Sequence, residues 1–137
     1  MSIKRYIATK DNTITNAFKP DLTTRGTGSN SGESDILEVF SIYGQAASSS
    51  AELSRVLIEF PVSTINTDRS NNTIPASGSV NFYLRMYNAK HSSTLPRNYT
   101  LEVAALSQSW EEGHGLDMEE YADLTHDGTG SNWVNAS

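Results

Sequence analysis

Residues 80–87 read Val80-Asn81-Phe82-Tyr83-Leu84-Arg85-Met86-Tyr87. Val80, Phe82, Leu84 and Met86 alternate with Asn81, Tyr83, Arg85 and Tyr87. A period of two belongs to a β-strand with one apolar and one wetter face. Residues 55–60 alternate in the same way, placing Val56, Ile58 and Phe60 on one face. Pro61 stops that run, because proline lacks the N–H that a ladder requires. A third run, over 99–106, puts Tyr99, Leu101, Val103 and Ala105 on one face. The shared period predicts one core built from Val56, Ile58, Phe60, Val80, Phe82 and Leu84, joined by Leu101 and Val103.

Further strands are expected over 4–8, 13–18 and 36–43, with a last one beginning at 132–135. Pro20 follows the second of these, and residues 36–43 carry apolar side chains on both faces. Residues 23–34, 44–50 and 63–79 are rich in Gly, Ser, Thr and Asn and read as loops. One short helix is expected over 117–124. Six or seven strands joined by loops of roughly 8–18 residues indicate an all-β sandwich of jelly-roll type. No internal repeat breaks the chain, so 1–137 reads as a single domain, with 1–20 as an N-terminal arm.

Composition narrows the function classes. The 137 residues carry 10 Lys and Arg against 16 Asp and Glu, a net charge of −6. A partner bound through phosphates needs a basic face, so nucleic acid and anionic membrane surfaces are not expected partners. Cys is absent, which removes disulfides, thiol catalysis and zinc–thiolate sites. Ser, Thr and Asn fill 43 positions, a bias that suits strands linked by many turns. No apolar stretch is long enough to span a membrane. The start, Met-Ser-Ile-Lys-Arg-Tyr, has charges but no apolar run behind them, so synthesis in the cytoplasm without a secretory leader is expected.

Candidate sites are sparse. Asp117, Glu119, Glu120, Asp123 and Asp127 form an acidic segment whose oxygens suit Ca²⁺, but without EF-hand spacing it reads as a solvated loop. Glu111 and Glu112 are neighbours that a strand would point apart, and nothing pairs Glu59 with Glu102, so no glycosidase dyad is expected. His91, His114 and His126 lack metal-ligand spacing and a nucleophile setting. Gly26-Thr27-Gly28 and Gly128-Thr129-Gly130 lack the Gly-Lys-Ser/Thr of a phosphate loop and read as flexible turns. Trp110 has two readings, a cap on one end of the core or a stacking platform for a sugar. Tyr83, Arg85 and Tyr87 share the polar face of their strand. Those residue types suit a protein interface, or an outer face covered by another part of the chain.

Four segments resemble the DNRLRE-type domains. They are Ser54-Arg55-Val56-Leu57-Ile58-Glu59-Phe60, Ser79 through Tyr87, Leu101-Glu102-Val103, and Ser109-Trp110-Glu111-Glu112-Gly113, with Ile74-Pro75 in the loop between the first two. The resemblance implies a jelly-roll-like, non-catalytic module that in some members binds polysaccharide. Tyr6-Ile7-Ala8 through Ile14-Thr15-Asn16-Ala17-Phe18 also resembles structural proteins of tailed bacteriophages. Members of the first family continue past the Trp-x-Glu-Gly element with further strands. The expectation here is a sandwich short of its last strand and open to a strand from another chain.

The expected function is a non-enzymatic virion structural protein of a tailed bacteriophage, in the neck, tail or capsid surface. It would be a homo-oligomer or bind other virion proteins, and it would be extracellular after release. A carbohydrate-binding module, with surface polysaccharide as ligand, is the alternative. Neither requires a cofactor or a metal.

Overall fold

The computed structural model describes residues 3–92, 95–117 and 129–137. Its elements are β1 (Lys10–Thr15), β2 (Ser41–Tyr43), β3 (Ala51–Glu59) and α1 (Val62–Ser70). The strands form one antiparallel sheet in the order β1-β3-β2. β1 pairs with β3 along its whole length, from Lys10 opposite Glu59 to Thr15 opposite Ser54. β2 pairs with the start of β3, from Ser41 opposite Leu53 to Tyr43 opposite Ala51. Among the described residues the protein is therefore β-rich, with one three-stranded sheet and one short helix.

The alternation read at 55–60 overlaps β3, which begins earlier, at Ala51, and ends at Glu59, one residue before Phe60. Opposed residues in an antiparallel pair share a face. Thr13, Val56, Ile58 and Ile42 therefore lie on one face, and Asn12, Ile14, Arg55 and Leu57 on the other. Loops lie over part of the second face, where Asn12 and Ile14 are buried and Leu53 and Arg55 stay exposed. The Arg55 guanidinium sits 4.5 Å over the Trp133 ring, and the Lys10 ammonium 5.8 Å from the Trp110 ring centroid. On the first face Thr13, Thr15 and Glu52 are fully enclosed, while Val56 and Ile58 are half-buried.

Part of the expected N-terminal arm lies inside the sheet. Within 1–20, residues 10–15 are β1 and bond their own chain. Residues 3–8 form no strand. They are tied to α1, where the Tyr6 hydroxyl donates to Asp68 Oδ2 at 2.7 Å and Lys4 Nζ lies 3.1 Å from the same oxygen.

The stretch 63–79, expected as a loop, contains α1. Its sequence, Val-Ser-Thr-Ile-Asn-Thr-Asp-Arg-Ser, is poor in strong helix formers and buries no residue. Pro61 precedes it at φ −73, close to the value a helix requires. Arg69 lies in the last turn, where a cation suits the helix dipole. Asn72 at φ 57 then ends the helix in the left-handed conformation that asparagine tolerates, and Thr73 and Ile74 N–H groups both donate to the Asp68 carbonyl.

The largest correction concerns the expected core. Among the described residues the buried apolar side chains are Ile14, Ala17, Ile74 and Trp110. Phe82 is 61% exposed and Val103 80%, and Leu84 and Leu101 are exposed too. Residues 80–87 and 99–106 have strand-like alternation but belong to no ladder. A period of two tells which side chains share a face. It does not supply the second layer that must cover that face. Residues 132–135 form a turn in place of a strand, with Asn132 Oδ1 accepting the N–H groups of Val134 and Asn135. The expected helix at 117–124 lies, beyond Asp117, outside the described residues.

Candidate functional site

Loops 26–34, 110–117 and 129–136 meet on the second face of the sheet around Asn30. Its side-chain Nδ2 donates to the Glu112 carbonyl at 2.7 Å and the Ser131 carbonyl at 2.8 Å. Its Oδ1 accepts the Gly32 and Gly115 N–H groups at 3.1 and 2.8 Å. Both donors and both acceptor sites of the amide are thereby used. The backbone is held as well, because Asp117 N–H donates to the Asn30 carbonyl and Asp117 Oδ2 accepts the Asn30 N–H. Asn12, fully enclosed, repeats the pattern. It donates to the Ser131 carbonyl and hydroxyl and accepts the Ser31 N–H at 2.9 Å.

Glycine makes this approach possible. A Cβ on Gly113 would stand 2.6 Å from Asn30 Oδ1, and one on Gly32 would overlap the Glu112 carbonyl oxygen. Gly113 and Gly130 also hold φ +81 and +103, where other residues are strained. A buried polar group costs little when its partners are complete, and a great deal when one is removed. The clamp therefore joins three loops into one rigid face.

Several sequence expectations fall on this clamp. Gly26-Thr27-Gly28, read as a flexible turn, is bonded at both sides: Gly26 N–H donates to Ala17 and the Thr27 carbonyl accepts the Trp133 N–H. Asp117, read as part of a solvated acidic loop, is buried against Asn30. Glu119, Glu120, Asp123, His126, Asp127 and Gly128 lie outside the described residues. Glu112 Oε1 accepts the Asp11 N–H at 2.7 Å. Burial first, and then the Glu112 charge, push the Asp11 carboxyl above its ordinary range. His114 Nδ1 lies 3.2 Å from Glu33 at the surface, and His91 is exposed.

Trp110 is 8% exposed, and its carbonyl accepts a 3.4 Å bond from Lys10 Nζ. An indole so enclosed has little face to offer a sugar, which corrects the stacking expectation. Tyr83, Arg85 and Tyr87 are all exposed, with the Arg85 guanidinium 4.9 Å from the Tyr87 ring centroid. They stand on a long open segment. Among the described residues, 80–92 and 95–109 make no hydrogen bond within the chain. Their exposed side chains include Phe82, Leu84, Met86, Leu95, Tyr99 and Leu101.

Sequence reasoning missed Asn12, Asn30, Gly113 and Ser131. Asn30-Ser31-Gly32 and Glu112-Gly113 were visible as polar–glycine steps. Nothing in one-dimensional spacing brings residues 101 positions apart together.

The geometry defines a β-rich fold with a polar face clamped by hydrogen bonds and, among the described residues, a long apolar segment outside any ladder. No family model matches the chain, and neither a curated protein nor a solved structure is significantly similar to it.

Proposed function

We propose that this chain is a non-enzymatic structural subunit of a tailed-bacteriophage particle, a neck, tail or capsid-surface component acting through subunit–subunit contacts. Its complete fold in that setting is a jelly-roll-like β-sandwich, of which the β1-β3-β2 sheet is one layer. The observation that carries the reading is the stretch 80–109. Its alternating apolar side chains are exposed, and its described backbone donates and accepts nothing within the chain. Unpaired strand groups beside apolar side chains are a template for pairing with another chain. The assignment to a phage particle rests on the resemblance carried by Tyr6 through Phe18.

Light scattering and electron microscopy of the purified chain, alone and with the other proteins of a particle, test the proposal. Assembly is the expected result. A chain that remains monomeric with every such partner overturns it. So does turnover of a polysaccharide or ester that one acidic substitution abolishes. Saturable glycan binding by the monomer would place the protein in the carbohydrate-binding class.

A further inference from the structure

We propose that the outer edge of β2 pairs antiparallel with the same edge of a second copy of this chain, about a two-fold axis at Ser41. The sheets of the two copies then become one continuous sheet. This rests on the reading of the chain as an assembling subunit and says which surface makes the contact.

The main chain of β2, with the two residues ahead of it, decides which groups are on offer. Ser54 N–H donates to the Phe40 carbonyl at 3.1 Å, and Gly44 N–H to the Ser50 carbonyl at 2.8 Å. Along an antiparallel strand, residues that bond one neighbour alternate with residues turned the other way. Phe40, Ile42 and Gly44 therefore face β3, and Val39, Ser41 and Tyr43 direct their N–H and C=O groups outward. Among the described residues nothing bonds these outward groups, and all three residues are exposed. The far edge of the sheet is different. In β1, Asn12, Thr13 and Thr15 are enclosed, and Glu112 Oε1 takes the Asp11 N–H at 2.7 Å. Among the described residues, β2 is thus the open edge of the sheet.

An exposed edge of this kind takes an extended strand of main chain. Three observations make a second β2 that strand. With the axis at Ser41, Ser41 faces Ser41 of the second copy and Val39 faces Tyr43, so every outward group of both copies finds a partner. Tyr43 is 78% exposed and Val39 49%. Opposed across the axis they form an aromatic–β-branched pair on one face of the joined sheet, a combination that stabilises a ladder.

Charge points the same way. A two-fold axis sets the edge against itself, so a charge there would meet its like, which destabilises a ladder. Residues 39–51 contain no Asp, Glu, Lys or Arg. Closure is the third observation. Because β1 is enclosed, joining the two β2 edges leaves no edge on which a further copy could add, and the contact is isologous.

Light scattering of the purified chain should give twice the 15.0 kDa chain mass. Ser41→Pro removes an outward donor while sparing the ladder to β3. Tyr43→Lys sets an ammonium on the edge and serves should the proline variant fail to fold. Both should return to the single-chain mass with circular dichroism unchanged. Amide exchange at Val39, Ser41 and Tyr43 should slow as protein concentration rises. Ser41→Cys, the sole thiol in its chain, should form a disulfide-linked pair under mild oxidation, because residues on the axis lie within disulfide reach. Ser63→Cys, exposed on α1, should not. Amide protection that ignores concentration overturns the pairing, since the chain then covers its own edge. Variants that assemble as the unmodified chain does overturn it too and leave the structural role standing, because another surface then makes the contact. A chain that stays at single-chain mass overturns the pairing, and the structural role falls with it only if the chain also fails to join the other proteins of a particle.

Discussion

The Asn30 side-chain amide donates to the Ser131 carbonyl at 2.8 Å across 101 positions of sequence. That bond, with its partner to the Glu112 carbonyl, fastens the last described segment of the chain to the loop that follows β1. It makes Asn30 the residue on which three loops depend.

Replacing Asn30 should therefore be costly. Asn30→Ala leaves the Glu112 carbonyl and the Gly32 and Gly115 N–H groups without their partner in a largely buried site, while the Ser131 carbonyl keeps its bond from Asn12. At 1–3 kcal/mol for each group left unsatisfied, the loss should reach about 3 kcal/mol or more. Asn30→Asp should be at least as damaging, because a carboxylate oxygen would then face the Glu112 and Ser131 carbonyls. Urea midpoints measure both. A loss under about 1 kcal/mol would show that water takes over the role of the amide.

Two glycines should respond differently to alanine. Gly113→Ala combines φ +81 with a Cβ 2.6 Å from Asn30 Oδ1 and 2.7 Å from the Thr129 carbonyl, so it should disrupt the clamp. Gly78→Ala, at φ +92 with open space around it, meets only backbone strain of about 1–2 kcal/mol. Thermal unfolding of the pair gives the comparison. Equal costs would mean that the close approach at Gly113 relaxes freely.

The tie between the N-terminal segment and α1 should depend on pH. The Tyr6 hydroxyl, and then Lys4, hold the Asp68 carboxyl below its ordinary range. A depressed carboxylate stabilises the fold above its unfolded pKa, and that contribution is lost as pH falls through the lower, folded value. Residues 3–8 should thus detach from α1 under acid conditions. NMR titration of Asp68 in Tyr6→Phe should show its pKa moving up, towards the ordinary value. An unchanged titration would mean the hydroxyl does not set it.

Phe82 should matter only in the assembled state. In the dilute single chain its ring is largely exposed, and Phe82→Ala should cost under about 1 kcal/mol. In an assembly that buries the ring the same change should approach about 3–5 kcal/mol. Because association stabilises by mass action, the difference should grow with protein concentration. Denaturation at two concentrations measures it, and a cost independent of concentration would place Phe82 outside the contact. Tyr83→Ala, at 85% exposure, should leave the dilute chain's stability within about 0.5 kcal/mol.

Local chemistry by itself determined the β character and the strand over 55–59, whose end lies just ahead of Pro61. These follow from alternation and from proline's missing N–H, both properties of near neighbours. It did not determine α1, because Val62–Ser70 has weak helix propensity and no amphipathic face. That helix is held by Pro61, by the Asn72 turn and by Asp68 reaching back to Tyr6 and Lys4. Nor did alternation at 80–87 decide burial, since a periodic face stays exposed until another layer meets it. The Asn30 clamp was decided by tertiary structure alone. Its bonds join groups far apart in sequence, and an asparagine in a glycine-rich loop looks the same whether its amide meets water or four buried backbone groups.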